Sequence, residues 1–269
     1  MNGTTTMSEK SLPDFSQAGL KCLYTITGAL QYGDEAAAIR ALGASWREVP
    51  REEQLRIRDF INEHVLAEKS REMSIHGIKR TFRFWSEEEK AGLIRFAKLV
   101  IDRLQSQMGF SATIGYGTAL GIAREGDLIP HDDDVDLICA IPTSVHPDFP
   151  SALTAIREAF SGKADIYTFG KHPGHLKFGQ QPYALDVFVA LQEGEFISSY
   201  PGPRKEILFT DVFPSKLMNV FGVEIDAPAD MEAYLSKVYG PNWRVPDPMF
   251  GHKWGGLGFE DLISDQSTS

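Results

Sequence analysis

The sequence contains little of what marks secreted, membrane-spanning or disulfide-bonded proteins. It has two cysteines in 269 residues, and Cys22 and Cys139 lack the paired spacing of a zinc site. No apolar run approaches the roughly 20 residues that a membrane-spanning helix needs. The polar residues 1–11 lack the apolar segment of a secretory signal. These absences predict a cytoplasmic protein with free thiols, no transmembrane segment and a disordered lead-in over residues 1–16.

Basic residues are also fewer than acidic residues. Lysine and arginine total 27 against 37 aspartates and glutamates, which gives a net charge of −10. The basic residues are scattered along the chain, so no basic face for nucleic acid is expected. A polyanionic substrate would have to be bound by a few local cations and by metal ions.

The hydrophobic pattern predicts an α/β (α+β) protein with a helical N-terminal extension. Residues 17–85 form the extension, with helical periodicity over 17–70, an acidic helix start at Asp34 and a helix end at Gly43. Residues 86–255 form a mixed core, and residues 256–269 a C-terminal tail. The predicted helices of the core are 86–108, 150–160 and 229–239. The first begins with a capping box of Ser86 and Glu89 and carries an apolar stripe from Leu93 to Leu104. The predicted strands are 112–116, 135–141, 164–169, 175–179, 184–191 and 195–199.

Three aspartates lie on predicted strands of this core. Asp134 and Asp136 are two residues apart at the start of one strand, so their side chains share a face while Val135 and Leu137 enter the core. Asp186 lies among apolar residues of a later strand, where an isolated charge costs several kcal/mol unless it is paired or metal-bound. Carboxylates on two neighbouring strands would hold Mg²⁺, or Mn²⁺, against a substrate phosphate. The alternative interpretation is an acidic turn, with Asp186 in a structural ion pair.

A glycine-containing turn precedes the acidic residues. Gly117 and Thr118 follow a predicted strand and begin a short helix. Backbone amides and the Thr118 hydroxyl at such a helix start can surround a phosphate, although a glycine turn alone is more often simple backbone geometry. A Gly-Thr pair, then paired aspartates, then a single aspartate on a later strand is a more specific combination, and it favours phosphoryl transfer.

This arrangement resembles the signature of the LicD family. Fifteen residues, 119–133, separate Thr118 from Asp134, as the family pattern requires, and the run includes the expected Gly121 and Arg124. The family's closing pattern is matched by Phe213, Pro214, Phe221, Gly222, Pro228, Tyr234, Leu235, Tyr239, Gly240 and Trp243. The resemblance covers roughly residues 90–250. His131 departs from it, because the family usually carries tryptophan there.

The resemblance implies a nucleotidyltransferase-fold enzyme with flanking helices around a mixed sheet. Such enzymes transfer phosphocholine or a polyol phosphate from a CDP-activated donor to a hydroxyl of a glycan or lipid-linked glycan. The implied catalytic and metal-binding residues are Asp134, Asp136 and Asp186, one of which would act as general base. By the same resemblance, Gly117 and Thr118 would bind the donor nucleotide's phosphate, and Arg124 would neutralise it. Lys177, on a short predicted strand near Asp186, is a further candidate for contact with the donor phosphate, and the alternative is a plain solvated lysine.

Two other functions would use the same three carboxylates. A nucleotidyltransferase would move NMP from an NTP to a protein or small molecule and release pyrophosphate, but the fifteen-residue gap argues against it. A non-catalytic binding protein would retain the fold without needing three converging aspartates.

Several polar residues are further candidates, each with a structural alternative. His172 and His175 form a possible zinc pair or a plain loop, and His252 with Trp254 would stack on a base or pack as a tail. The other candidates for phosphate contact are Arg204, Lys205 and Arg244. Asp132 and Asp133 are expected to shape the turn or to support the metal ligands.

Overall fold

The computed structural model describes residues 13–45, 48–74, 77–161, 167–169, 173–247, 250 and 258–263. Contacts divide the chain into two compact units, one up to Phe84 and the other from Trp85 onward. Over the described ranges, every helix is too short or too polar to cross a bilayer. The cytoplasmic location stays a prediction.

The described part of the first unit is mainly helical. Its helices are α1 (Gln17–Gln31), α2 (Glu35–Ser45) and α3 (Arg51–Ile61), followed by a π-helical turn (Asn62–Leu66) and 3-10 turns (Ala67–Lys69 and Phe82–Phe84). Their apolar faces pack around buried Leu23, Ile26 and Ile57. The predicted helices are present, although α2 continues past Gly43. The hairpin of β1 (Glu72–Ser74) and β2 (Gly77–Lys79) was not predicted, because strands this short show no usable alternation.

The second unit contains the remaining elements. Its helices are α4 (Glu87–Met108), α5 (Tyr116–Glu125), α6 (Phe149–Phe160), α7 (Phe209–Val212) and α8 (Met231–Tyr239). Its strands are β3 (Ser111–Ile114), β4 (Val135–Pro142), β5 (Tyr167–Phe169), β6 (His175–Gln180), β7 (Tyr183–Glu193), β8 (Phe196–Ser199), β9 (Ile207–Leu208), β10 (Lys216–Val220) and β11 (Val223–Ala227). The last three strands were not predicted, and residues 164–166 of the predicted third strand lie outside the described residues.

Among the described residues, seven strands form one mixed sheet. Their order is β3–β4–β7–β6–β5, with β8 paired to the far half of β7 and β9 paired to β8. Strands β4 and β7 are parallel, and the other neighbouring pairs are antiparallel. This arrangement confirms the predicted mixed α/β fold class. Strands β10 and β11 form a separate hairpin.

Helix α4 covers one face of the sheet. It begins with the predicted capping box, in which Ser86 and Glu89 exchange side-chain and backbone hydrogen bonds, and it ends at Gly109 in the left-handed conformation. The hydroxyl of Tyr183, at the start of β7, lies against Gly92 of this helix. Side chains alternate along a strand, so Asp186 lies on the opposite face of the sheet.

Helix α5 connects β3 to β4 on the face that carries Asp186. The strand predicted over 112–116 ends at Ile114, because Gly115 already caps α5. A side-chain carbon at Gly121 would lie 2.7 Å from the Asp127 carbonyl oxygen and 2.9 Å from the Ile129 nitrogen. The glycine therefore lets the loop of residues 126–134 pack directly on α5. This loop carries the acidic run into the start of β4.

Candidate active site

Asp136 and Asp186 lie side by side on the two parallel strands of the sheet. Asp136 pairs with Asp186 across β4 and β7, and Asp186 pairs with Lys177 across β7 and β6. Register partners point to the same face, so one row across three strands carries two carboxylates and an ammonium. Val135 and Leu137, which alternate with the aspartates, are fully buried, as the sequence predicted.

Lys177 joins Asp134 to Asp186. Its Nζ donates to both carboxylate oxygens of Asp186, at 2.7 and 2.8 Å, and to Asp134 Oδ2 at 3.3 Å. Burial alone would lower the pKa of Lys177, but the charges of Asp186 and Asp134 outweigh it and raise the pKa above its usual value. The two carboxylates thus converge on a single cation, which here is the lysine ammonium.

The first turn of α5 is tied to Asp136 through hydrogen bonds. The Gly117 N–H donates to Asp136 Oδ2 at 2.9 Å, and the Asp136 N–H donates to the buried Thr118 hydroxyl at 2.8 Å. A side-chain carbon at Gly117 would lie 3.1 Å from Oδ2 of both Asp132 and Asp136. The groups that approach Gly117 closely are therefore two carboxylates. The phosphate-binding role of Gly117 and Thr118 stays a prediction.

Tyr116, directly before Gly117, has a positive φ of 38°, which bulky residues rarely adopt. Its N–H donates to the Tyr234 hydroxyl at 3.0 Å, and its own hydroxyl donates to the Ser199 carbonyl at 3.0 Å. Its ring packs on Phe188, with centroids 4.5 Å apart. These tertiary contacts hold the strained turn in place. The sequence contained no signal for them, because all three partners are distant along the chain.

Burial and the neighbouring carboxylates raise the pKa of Asp136 well above its usual value. Burial is the largest cause, followed by the negative charges of Asp134, Asp132 and Asp186, while the Gly117 N–H acts in the opposite direction. A bound divalent cation would remove this mutual repulsion. The surrounding donors are carboxylate oxygens, which suit Mg²⁺ or Mn²⁺. The residues therefore fit the predicted metal ion.

The acidic run, Asp132 to Asp134, both forms a turn and places carboxylates at the site. Single oxygens from Asp132, Asp133 and Asp134 lie within 4.8 Å of one another. The Asp133 N–H donates to Asp132 Oδ1 at 2.9 Å, while Oδ2 of Asp132 faces Gly117 beside Asp136. Asp132 thus shapes the turn, as expected, and also adds its charge to the carboxylate group.

The structure does not bring every predicted cation to the carboxylates. Arg124 lies in the last turn of α5, roughly 10 Å along the helix axis from Gly117 at 1.5 Å per residue. Its Nε donates to Glu125 Oε1 at 2.9 Å. Its contact with a phosphate stays a prediction. The other cationic candidates also form ion pairs, Arg204 and Lys205 with Glu193, Arg204 with Asp261 and Arg244 with Glu232.

His175 lies at the carboxylates and not in a surface loop. It is the first residue of β6, it is buried, and its Nε2 is 3.5 Å from Asp186 Oδ2. Its spacing of two from Lys177 on a strand was the signal that could have placed it on this face. His172, His252 and Trp254 lie outside the described residues.

Comparisons with known proteins identify the domain. Residues 109–230 match the model of the LicD/FKTN/FKRP nucleotidyltransferase domain, which agrees with the fold and family suggested by the sequence. No curated protein sequence gives a significant match.

Several solved structures are distantly similar to this one. ANT(2'')-Ia in complex with adenylyl-2''-tobramycin is 16% identical with a TM-score of 0.36, over 60% of this chain and 82% of the other. The solution structure of ANT(2'')-Ia is 18% identical with a TM-score of 0.36, over 63% and 80%. The CdnE cyclic dinucleotide synthase of Elizabethkingia meningoseptica, with GTP and Apcpp, is 12% identical with a TM-score of 0.27, over 40% and 44%. Likenesses this distant assign no activity.

Proposed function

The chain belongs to the LicD family through residues 109–230, and we propose that it is a Mg²⁺-dependent phosphotransferase. It would move phosphocholine or a polyol phosphate from a CDP-activated donor to a hydroxyl of a glycan or lipid-linked glycan. The observation that carries the proposal is the convergence of Asp134 and Asp186 on one cation, the Lys177 ammonium, beside Asp136. Carboxylate oxygens on adjacent strands suit a divalent cation, and the bound cation would in turn neutralise the charge of a diphosphate.

Each predicted site residue has a role in this proposal. Asp134, Asp136 and Asp186 would hold Mg²⁺, or Mn²⁺, which when bound supplies positive charge against the donor diphosphate. Lys177 is 39% exposed on a flexible stem, so it can turn from Asp186 toward a phosphate oxygen. Gly117 supports this arrangement from α5, because its amide already donates to a carboxylate oxygen.

Thr118 and Arg124, two of the predicted phosphate ligands, already make hydrogen bonds within the protein. The Thr118 hydroxyl accepts the Asp136 N–H, so it would influence the donor mainly by holding Asp136. Arg124 would have to leave Glu125 to neutralise a phosphate. One carboxylate of the group would accept the proton of the acceptor hydroxyl.

Ligand-dependent thermal unfolding tests the donor class. The full-length protein would be heated with CDP-choline, CDP-ribitol, CDP-glycerol or CTP, each with and without Mg²⁺. A ligand at 100 times its Kd stabilises the folded state by about 2.7 kcal/mol. We expect at least one CDP-alcohol to raise the Tm only when Mg²⁺ is present.

Asparagine variants identify the residues responsible. Asp134→Asn and Asp136→Asn should abolish the Mg²⁺-dependent rise in Tm. Asp102→Asn, which changes an aspartate of α4 paired with Lys98, should retain it. A rise in Tm that persists in both site variants would contradict the proposed metal and donor site.

A further inference from the structure

His175 contacts the carboxylate of Asp186 from the neighbouring strand. Its Nε2 lies 3.5 Å from Asp186 Oδ2, and the residue is 9% exposed. The register of β6 and β7 places His175 opposite Phe188, so its contact with Asp186 is diagonal across the two strands. Lys177, two residues later on β6, reaches the same carboxylate. Asp186 is therefore held between two side chains of one strand.

The two partners of Asp186 differ in their freedom to move. The Lys177 ammonium ends a flexible stem and is partly exposed to solvent. The His175 ring packs on Phe188, with centroids 4.6 Å apart and planes at 36°. A metal ion and the ammonium would need the same oxygen lone pairs of Asp186. The lysine can therefore move away when a metal ion binds, whereas packing keeps the imidazole beside the carboxylate.

The ring packing at His175 continues to the turn that contacts Asp136. Phe188 packs between His175 and Tyr116, with ring centroids 4.6 and 4.5 Å away. Tyr116 precedes Gly117, whose amide binds Asp136. The imidazole is thus the end of a row of packed rings that reaches the turn beside Asp136, so its position is set by the fold of the domain.

From this geometry we propose that His175 is a positioning residue, which fixes the carboxylate of Asp186 for binding of a divalent cation. The inference rests on the proposed function, because it concerns the same metal site. It adds a residue that the family resemblance did not supply. A ligating carboxylate is oriented by the groups that contact it, and loss of such a group typically weakens metal binding on the order of 10 to 100-fold.

Two nearly isosteric substitutions separate the polar contact from the packing. His175→Gln keeps a nitrogen donor at about the distance of Nε2 from the backbone, whereas His175→Met fills similar space without a donor. Affinity for Mn²⁺ would be measured by calorimetry on the full-length variants, and folding by thermal unfolding without added metal. Both substitutions remove the ring, so the difference between them reports the polar contact.

We expect His175→Met to weaken Mn²⁺ binding about 10-fold or more, and His175→Gln to stay within about 3-fold of the wild type. His146→Gln serves as the matched control, because His146 also contacts an aromatic ring, that of Phe110, at 6.0 Å. This control should bind Mn²⁺ as the wild type does.

Other outcomes would overturn the inference. Equal Mn²⁺ affinity in the Gln and Met variants would show that His175 only packs. A Met variant that fails to fold would assign the residue to folding and would also overturn the inference. Wild-type protein that binds no Mn²⁺ would contradict the metal site of the proposed function itself, so the two failures are distinguishable.

Discussion

Asp136 and Asp186 are register partners on the parallel strands β4 and β7, with their side chains on the same face of the sheet. Lys177 extends this row to a third strand. The site therefore depends on strand register, because a slip of one residue would turn a carboxylate to the other face. Substitutions of single residues around these two aspartates should therefore have measurable effects on activity or stability.

Gly117→Ala should reduce transfer without unfolding the protein. The added methyl would lie 3.1 Å from Oδ2 of both Asp132 and Asp136, so at least one carboxylate must shift. Displacements of this kind cost on the order of 10 to 100-fold in rate. Gly28→Ala adds a methyl within α1 where nothing lies within 4 Å, and it should leave the rate unchanged. Full transfer activity of Gly117→Ala would show that the close contact of the Gly117 backbone with these carboxylates is not needed.

Lys177→Met should make the fold more dependent on Mg²⁺. Without the ammonium, Asp134 and Asp186 lose the cation that they share. We expect a lower Tm in the absence of divalent ions, by roughly 2–4 °C for each kcal/mol lost, and a larger rise on addition of Mg²⁺ than in the wild type. Lys237→Met, at an exposed position of α8, is the control for removal of a positive charge. Equal Mg²⁺-induced rises in all three proteins would contradict the prediction.

Lys90→Met should loosen the loop that carries the acidic run. Lys90 Nζ lies 2.8 Å from both carboxylate oxygens of Asp127, and Asp127 Oδ1 also accepts the Leu128 N–H. A hydrogen bond to a charged group contributes about 1.5–3 kcal/mol, and the 43% exposure of the Asp127 side chain places the expected loss at the lower end. Denaturant unfolding of Lys90→Met, Asp127→Asn and the double variant measures the coupling. Additive losses in the double variant would show that the pair is not coupled.

We expect the free energy of unfolding to fall in acid, in part because of Glu193. Burial raises the pKa of Glu193, but hydrogen bonds from Arg204 and Ser198 outweigh it and hold the pKa below its usual value. The folded protein therefore binds this proton less readily than the unfolded chain does. Its contribution to stability is present above the unfolded pKa of about 4.3 and is lost as pH falls through the lower folded pKa.

Denaturant unfolding between pH 6 and pH 3 checks this dependence. Glu193→Gln should be less stable than the wild type at pH 6 and should lose less stability on acidification. Parallel pH profiles for the two proteins would exclude Glu193 as a source of the decline.

The sequence was sufficient for elements whose cause is local. The capping box at Ser86, the apolar stripe of α4 and the alternation around Asp136 each follow from residues close together along the chain, and all are present. The short strands β1, β2 and β9 were missed, since two or three residues carry no periodic signal. Within the described part of the chain, strands β10 and β11 pair only with each other, and their alternation was not recognised.

The site was predictable in its carboxylates but not in their partners. Asp186 was identified because a charge within an apolar strand requires a partner. Its contact with His175 arises from a diagonal across two strands, and the Tyr116 turn is held by Tyr234 and Ser199. Such contacts depend on tertiary packing, so local patterns could not indicate them.

Phosphorus NMR of the reaction products distinguishes transfer of a phospho-alcohol group from transfer of a nucleotidyl group. The wild-type protein and Asp136→Asn would each be incubated with Mg²⁺, a glycan acceptor and the CDP-alcohol that raises the Tm most. We expect the wild type to release CMP and to form a new phosphodiester, and the variant and the metal-depleted wild type to do neither. A parallel reaction would contain an NTP in place of the CDP-alcohol. Release of pyrophosphate from the NTP with no CMP from any CDP-alcohol, or CMP release that survives Asp136→Asn, would overturn the proposed function.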